Sequence, residues 1–375
     1  MKIQRIYEPL DAYIEAGKVL VIYGPRQIGK TTIVQNFLAT TRLKYKFETG
    51  DDLRIQDLLG SQNLKTILDF IEGYELLVID EAQKIPNIGT ALKIIVDHIP
   101  KIRIIATGSS SFELAGQIGE PLTGRKNTMN LYSISQQELK KTHNEHELKK
   151  DIEEYLIFGS YPEIITTKTK EEKIKKLEEI TYSYLLKDIL EFDRIKNSKI
   201  LLDLLALISF QIGNEVSLTE IGRQLGMNHN TVSRYLDLLE KSFILFEVRG
   251  FSRNLRKEIT KKSKFYFYDN GIRNAIIANF NKSEIRNDIG QLWENFIFME
   301  RLKKRAYQNI SGNVYFWRTW DQKEIDIIEE REGKLFGYEC KWSDKKTKAP
   351  KDWLENYKNA SFEVITQENY LKFIT

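Results

Sequence analysis

The feature that most constrains this chain is a junction: a β-prone run, Lys18 to Tyr23 (KVLVIY), passes into Gly24-Pro-Arg-Gln-Ile-Gly29-Lys30-Thr31, and an amphipathic helical pattern, Thr31 to Thr40, follows. The spacing is G-x-x-x-x-G-K-[ST] in the strand-loop-helix context that phosphate binding demands. Glycines let the backbone amides turn inward, and the start of the helix adds its dipole. The reading therefore assigns Gly24, Pro25, Arg26, Gln27, Ile28, Gly29, Lys30, Thr31 and Thr32 to ATP binding. Lys30 would contact the β- and γ-phosphates, and Thr31 would ligate Mg2+.

A second apolar strand, Glu75 to Asp80 (ELLVID), ends in the carboxylates Asp80 and Glu81. Asp80 is expected to hold the Mg2+ shell and Glu81 to polarise an attacking water. A third strand ends at Thr107-Gly108-Ser109. Its Ser109 hydroxyl would lie where the γ-phosphate and water sit, or the segment is a plain turn. Charge on a transferring phosphoryl group calls for an arginine, often supplied by a neighbouring subunit. Arg125, in Leu122-Thr-Gly-Arg125, is the candidate, with Arg26 and Arg194 as competitors.

Strands at Lys18–Tyr23, Leu43–Glu48, Glu75–Asp80 and Arg103–Thr107 alternate with helices at Thr31–Thr40, Leu64–Glu72 and Thr90–His98. Near-continuous apolar strands separated by helices imply a parallel sheet covered on both faces. The fold class is α/β, with a nucleotide-binding unit over 1–131. No run approaches the roughly 18 apolar residues of a membrane span, and the start of the chain has no signal-peptide pattern. One cysteine excludes an intramolecular disulfide framework, and four histidines with that cysteine cannot build a Cys-rich zinc site. A cytoplasmic location is expected. The net charge of +4 is small for 375 residues, so any case for nucleic acid rests on local clusters.

Residues 132–197 read as a charged helical lid or connector, broken at Phe158-Gly-Ser-Tyr-Pro162. Residues 198–278 read as a winged helix-turn-helix. Ser217-Leu-Thr-Glu220 has capping-box spacing, Gly226 marks the turn, and Asn228 or Asn230 caps a second helix with the stripe Val232, Tyr235, Leu236 and Leu239. Its amino-terminal half offers Asn228, His229, Asn230, Thr231, Ser233 and Arg234 to phosphates or base edges. The wing is basic, with Arg249, Arg253, Arg256, Lys257, Lys261, Lys262 and Lys264 against Glu258. DNA is the expected partner, although such modules also pack against proteins.

Gly24 to Thr32, Ile79-Asp-Glu-Ala-Gln83, Thr107-Gly-Ser-Ser110, Leu122 to Arg125 and Gly159-Ser-Tyr-Pro162 together resemble a family of prokaryotic AAA+ ATPases. Its members join the ATPase to a winged helix and a restriction-endonuclease-like domain of unknown function. The resemblance spans essentially the whole chain. It implies an AAA+ core, phosphate contacts at Gly29, Lys30 and Thr31, acidic roles at Asp80 and Glu81, and sensor and finger roles at Ser109 and Arg125. It supplies no physiological task.

Residues 279–375 read as helix (Gly290–Ala306), three strands (Val314–Thr319, Glu324–Glu329, Lys334–Trp342), helix (Lys351–Asn359) and strand (Phe362–Thr366). This order matches the core of the α+β PD-(D/E)xK nucleases. Glu294, Asp326 and Glu339 fall where metal ligands would lie. Lys341 shares a strand face with Glu339, because side chains alternate, and could orient water. No proline precedes Asp326, and the last helix lacks the glutamine common in related nucleases. Two readings follow: an ATPase driving a DNA-binding, perhaps DNA-cleaving half, in the chain alone or across an oligomer interface, or a slow nucleotide switch that binds DNA or a protein while the nuclease-like fold is inert.

Overall fold

The structure, a computed structural model, describes residues 3–109, 121–185, 198–252, 263–319, 323–343 and 347–375. Arg194, Arg253, Arg256, Lys257, Glu258, Lys261 and Lys262 lie outside the described residues.

The apolar runs become β1 (Val19–Tyr23), β3 (Leu76–Asp80) and β4 (Arg103–Gly108), joined at the edges by β2 (Tyr45–Thr49) and β5 (Lys126–Asn130). All pair in parallel, in the order β2-β3-β4-β1-β5. Every residue of β1 is buried, whereas the edge strands β2 and β5 are mostly exposed or half-buried. Alternation sends Leu20 and Ile22 to one face against Ile33, Val34 and Phe37 of α1 (Lys30–Leu38). Val19 and Val21 face the other way, toward α2 (Leu53–Gly60), α3 (Leu64–Ile71) and α4 (Ile88–His98). Truncating the fully buried Ile22 to alanine would cost about 2–5 kcal/mol, because a close-packed layer cannot collapse around the gap. The strand β5 and the helix α2 were not anticipated from the sequence.

A chain of short helices follows: α5 (Gln136–Leu139), α6 (Glu145–Lys150), α7 (Ile152–Phe158), α8 (Pro162–Thr166) and α9 (Lys170–Glu178). Reciprocal capping boxes, Ser135 with Glu138 and Asn144 with Glu147, start α5 and α6. The expected break falls between Phe158 and Pro162, and the proline opens α8 where its missing N–H costs nothing.

Next come α10 (Ser198–Phe210), β6 (Glu215–Val216), α11 (Leu218–Leu225), α12 (His229–Lys241), β7 (Leu245–Val248), β8 (Ser263–Phe267) and α13 (Asn270–Ile276). The three strands form an antiparallel sheet ordered β6-β8-β7. Ser217 Oγ accepts from Glu220 N, which is the serine half of the expected capping box. Asn228 caps α12, and Val232, Tyr235, Leu236 and Leu239 are all buried. The apolar packing on the Leu20 and Ile22 face continues through Ile157, Leu204 and Leu205 to Ile221 and Val232.

The last unit packs α14 (Ile289–Tyr307) on a sheet of β9 (Asn313–Arg318), β10 (Glu324–Arg331), β11 (Lys334–Cys340) and β12 (Ala360–Ile365). Sheet order is β12-β11-β10-β9, with β12 parallel to β11 and the other pairs antiparallel. Two helices, α15 (Lys351–Asn356) and α16 (Tyr370–Ile374), complete it. These elements follow the order read from the sequence, except α16, which was not anticipated. No described helix is long and apolar enough to cross a membrane.

Candidate nucleotide site and acidic cluster

Parallel pairing brings the carboxyl ends of β1, β3 and β4 to one edge of the sheet, with Tyr23 opposite Gly108 and Ile79 opposite Ala106. Gly24, Asp80 and Ser109 therefore emerge side by side. The loop after β1 needs its glycines. A Cβ on Gly24 would lie 2.3 Å from the Leu131 carbonyl oxygen, and Gly29, at φ 96°, sits in the left-handed region as it opens α1.

Lys30 is buried, and its ammonium donates to the carbonyls of Gly24 and Pro25 at 2.8 Å each. The Thr31 hydroxyl donates to Asp80 Oδ2 at 2.8 Å, and the Thr107 hydroxyl donates to Asp80 Oδ1. Asp80 is thus fixed at both oxygens, beside a hydroxyl of the kind that shares a magnesium shell with a carboxylate. This donor pair fits the ion, which Thr31 and Asp80 would hold.

Glu81 turns out of β3 with a left-handed backbone, φ 49°, a conformation costing of order 1 kcal/mol for a residue with a Cβ. Strain of this kind collects where a side chain must be aimed. Gln83 Nε2 donates to Glu81 Oε2 at 2.5 Å and to the buried Ser109 Oγ at 3.2 Å, joining two of the expected residues. Its other amide atom, Oε1, is buried without a partner among the described residues. Arg26, Gln27, Gly29, Lys30, Thr31, Thr32 and Glu81 line one cleft of about 390 Å³, and Pro162 and Glu163 of α8 form part of its wall. Sequence reasoning gave no role to Thr107, Gln83, Pro162 or Glu163. The quoted motifs around Gln83 and Pro162 were the available signal.

Arg125 lies elsewhere. It precedes β5, its carbonyl accepts from Val19 N at the start of β1, and its guanidinium pairs with Asp97 of α4 at 2.6 Å. The phosphate loop leaves the other end of β1, a strand length or roughly 13 Å away. Within one chain Arg125 therefore lies away from the phosphates, and a finger role for it would fall on a neighbouring copy. Of the two competitors, Arg26 lines the cleft.

The C-terminal carboxylates do converge, but around a cation of the protein's own. Lys264 on β8, expected on a solvated basic wing, is fully buried. Its ammonium pairs with Glu294 of α14 at 3.2 Å and with Glu324 of β10. Burial disfavours the charged lysine, but Glu294, Asp326 and Glu324 outweigh it and hold its pKa above the usual range. Tyr266 donates to Glu294 Oε1 at 2.6 Å. The β9–β10 register slips between Ile325 and Ile328, and Asp326 there accepts from Cys340 N at 2.7 Å. Burial, then Glu294 and Glu339, push Asp326 well above the ordinary carboxylate range. Lys341 pairs with Glu339 at 2.6 Å, while Glu339 Oε2 is buried without a partner among the described residues.

Among the described residues no three Asp, Glu, His or Cys side chains group as ligands for one ion. Glu294, Asp326 and Glu339 thus come close enough to perturb one another, yet the negative charge they would offer a metal is already met by Lys264 and Lys341. The expected nuclease metal site does not fit this arrangement. Of the seven cations read on the basic wing, five lie outside the described residues; Arg249 is exposed, and only Lys264 departs from the expectation by being buried. On α12 and its cap, Asn228, His229, Asn230, Ser233 and Arg234 are exposed, while Thr231 is half-buried and bonded to the cap.

Three families match separate stretches: an AAA domain over residues 16–140, and two domains of unknown function, DUF8612 over 149–283 and DUF4143 over 289–371. Relatives that align over most of the chain are described as uncharacterized proteins. A protein of Methanocaldococcus jannaschii is 27% identical over 351 residues, covering 87% of this chain and 75% of its own. One of Mycobacterium tuberculosis is 24% identical over 327 residues, covering 86% and 70%. Among solved structures, a signal transduction ATPase with numerous domains and a tetratricopeptide repeat sensor, from Pyrococcus horikoshii, aligns at 15% identity and TM-score 0.28, over 80% of this chain and 46% of that one. The Bacillus subtilis DNA clamp loader delta protein aligns at 12% identity and TM-score 0.24, over 81% and 98%. The AAA match coincides with the parallel sheet and its phosphate loop, so residues 16–140 are an AAA-type P-loop ATPase domain.

Proposed function

We propose that the chain binds ATP with Mg2+ and hydrolyses it at the carboxyl edge of the parallel sheet, and that the nucleotide state governs a DNA-binding C-terminal half. The observation that carries the ATPase reading is Asp80, fixed between the Thr31 and Thr107 hydroxyls beside the cleft that Lys30 and Glu81 line. Lys30 and the loop amides bind the phosphates. Thr31 and Asp80 hold the magnesium ion, which when bound neutralises charge on the phosphoryl oxygens. Glu81 accepts a proton from water, Gln83 keeps its carboxylate aimed, and Ser109 steadies Gln83. The orphan Gln83 Oε1 has the right chemistry to accept from that water.

An arginine from a second copy, or Arg26 in the cleft, supplies the transition-state cation. Phosphate release from the full chain with ATP and Mg2+ tests this reading: turnover that survives both Lys30→Ala and Glu81→Gln would sink it.

For the C-terminal half, the two helices and antiparallel sheet over 215–267 support a winged helix that presents Asn228, His229, Asn230, Ser233 and Arg234 to DNA. Backbone binding by such a surface weakens steeply with salt. A duplex affinity indifferent to salt, or no binding at all, would favour a protein partner instead. For the last domain, Lys264 amid Glu294 and Glu324 supports the inert reading of the nuclease-like fold. Cleavage of DNA or RNA with Mg2+ or Mn2+, lost in Asp326→Ala, would overturn it.

A further inference from the structure

Arg5 lies ahead of the first strand, outside every motif above, and is buried at 6% exposure. Its guanidinium ties together three separate parts of the chain. Nη1 donates to the Ile28 carbonyl inside the phosphate loop at 2.7 Å, Nη2 to the Tyr132 carbonyl beyond β5 at 2.6 Å, and Nε to Glu138 Oε1 at 2.8 Å. A planar fork with fixed donor directions is suited to such a task, and a lysine is not. Taking the charge out of water is costly, and three acceptors including a carboxylate offset that cost.

Two consequences follow from elementary geometry. In a planar trans peptide the C=O and the following N–H point in opposite directions. By holding the Ile28 carbonyl, Arg5 turns the Gly29 amide away from itself, and Gly29 is a cleft-lining residue. The second consequence lies on the far side of the guanidinium. Glu138 Oε2 accepts from Ser135 N and Oγ at the cap of α5, and the next amide, Gln136 N, donates to Glu300 Oε2 of α14 at 2.7 Å. Lys303 clasps Glu300 Oε1 at 2.7 Å and Ser133 Oγ at 3.0 Å. Bonded groups therefore run from the phosphate loop to the long helix that backs the C-terminal sheet.

We propose that Arg5 is a positioning residue that sets the direction of the Gly29 amide and links occupancy of the phosphate loop to α14. The inference rests on the ATP-binding reading above.

The test is binding of a fluorescent ATP analogue with Mg2+ to the full chain, alongside amide exchange over residues 135–139 and 296–307. In the wild type, ATP slows exchange in both segments. Arg5→Lys, which keeps the charge but not the fork, weakens binding at least roughly tenfold, about 1.4 kcal/mol, and abolishes the ATP-dependent protection at 296–307. Glu138→Gln retains the Ile28 contact, so it loses that protection while keeping more of the affinity. Arg273→Lys is the control for loss of a buried arginine: its guanidinium bonds Ser209, Asn274 and Asp288 and not the phosphate loop, so it lowers the melting temperature and leaves ATP affinity unchanged. Wild-type affinity in Arg5→Lys, with binding still abolished by Lys30→Ala, overturns the Arg5 assignment alone. So does an affinity loss in Arg5→Lys that Arg273→Lys reproduces. No binding by the wild type overturns the ATP reading and this inference together.

Discussion

The phosphate loop and the C-terminal acidic cluster are built from the same parts, a buried lysine facing oxygen atoms at the end of a sheet, and they reach opposite ends. Lys30 is held by two neutral carbonyls of its own loop, beside an open cleft. Lys264 is held by the carboxylates of Glu294 and Glu324 and has no solvent contact. A charge pair 4 Å apart is worth about 4 kcal/mol at an effective dielectric of 20, whereas a carbonyl offers only a dipole. The first lysine can exchange its carbonyls for phosphate oxygens, and the second is tied to charges that leave little attraction for a divalent ion. The acceptors and their access to water, rather than the inventory of residues, separate a ligand site from a structural one.

That comparison can be broken at several points. The largest expected effect is on turnover: Glu81→Gln should lower the ATPase rate by about 10²–10⁴-fold, the usual contribution of a positioned base, while ATP still binds. Measured phosphate release with retained affinity for labelled ATP checks both halves. Next, Lys264→Met should destabilise the fold by about 3–5 kcal/mol, because it leaves buried carboxylates uncompensated. Chemical denaturation reads that loss. Millimolar Mn2+ should restore part of the stability in the variant and none in the wild type, and equal stabilisation of both proteins would show that the acidic cluster takes metal despite its lysine.

A smaller effect is expected at Gln83→Ala. Aim is lost at Glu81 but no charge is removed, so turnover should fall by roughly fivefold, in line with one hydrogen bond of about 1 kcal/mol. A KM that rises while kcat holds would instead make Gln83 a binding residue. The smallest is Arg125→Ala: its partly exposed pair with Asp97 should be worth less than about 1 kcal/mol, and turnover in dilute protein should not move. A fall in turnover that appears only at concentrations where the chain self-associates would restore Arg125 as a residue acting on a neighbouring copy.

The strands that carry the phosphate site were legible because their apolar runs are buried on both faces, as at Val19–Tyr23 and Leu76–Asp80. The edge strand Lys126–Asn130 was not. It has one buried residue, Met129, so it carries neither an apolar run nor a clear alternation. In the C-terminal domain, period and turn residues located the strands and two of the helices, but not the last helix, Tyr370–Ile374, and Glu294, Asp326 and Glu339 were placed on the right elements. What they meet was hidden. A lysine next to Lys261 and Lys262 reads as solvated, and nothing local shows that Lys264 faces carboxylates contributed by α14 and β10. Arg5 was silent for the same reason, since its three acceptors are scattered over Ile28, Tyr132 and Glu138.

The apolar packing that runs from Leu20 and Ile22 to Ile221 and Val232 crosses the gap between the stretches matched at 16–140 and 149–283. The seam between two recurrent sequence units is thus not a seam in the oil. Separated there, each fragment would present to water a face that evolved to be dry, and each would be expected to clump rather than fold. The two units are therefore expected to stay together in any chain that keeps this packing, and α12 has freedom to change only on the face that the packing leaves exposed.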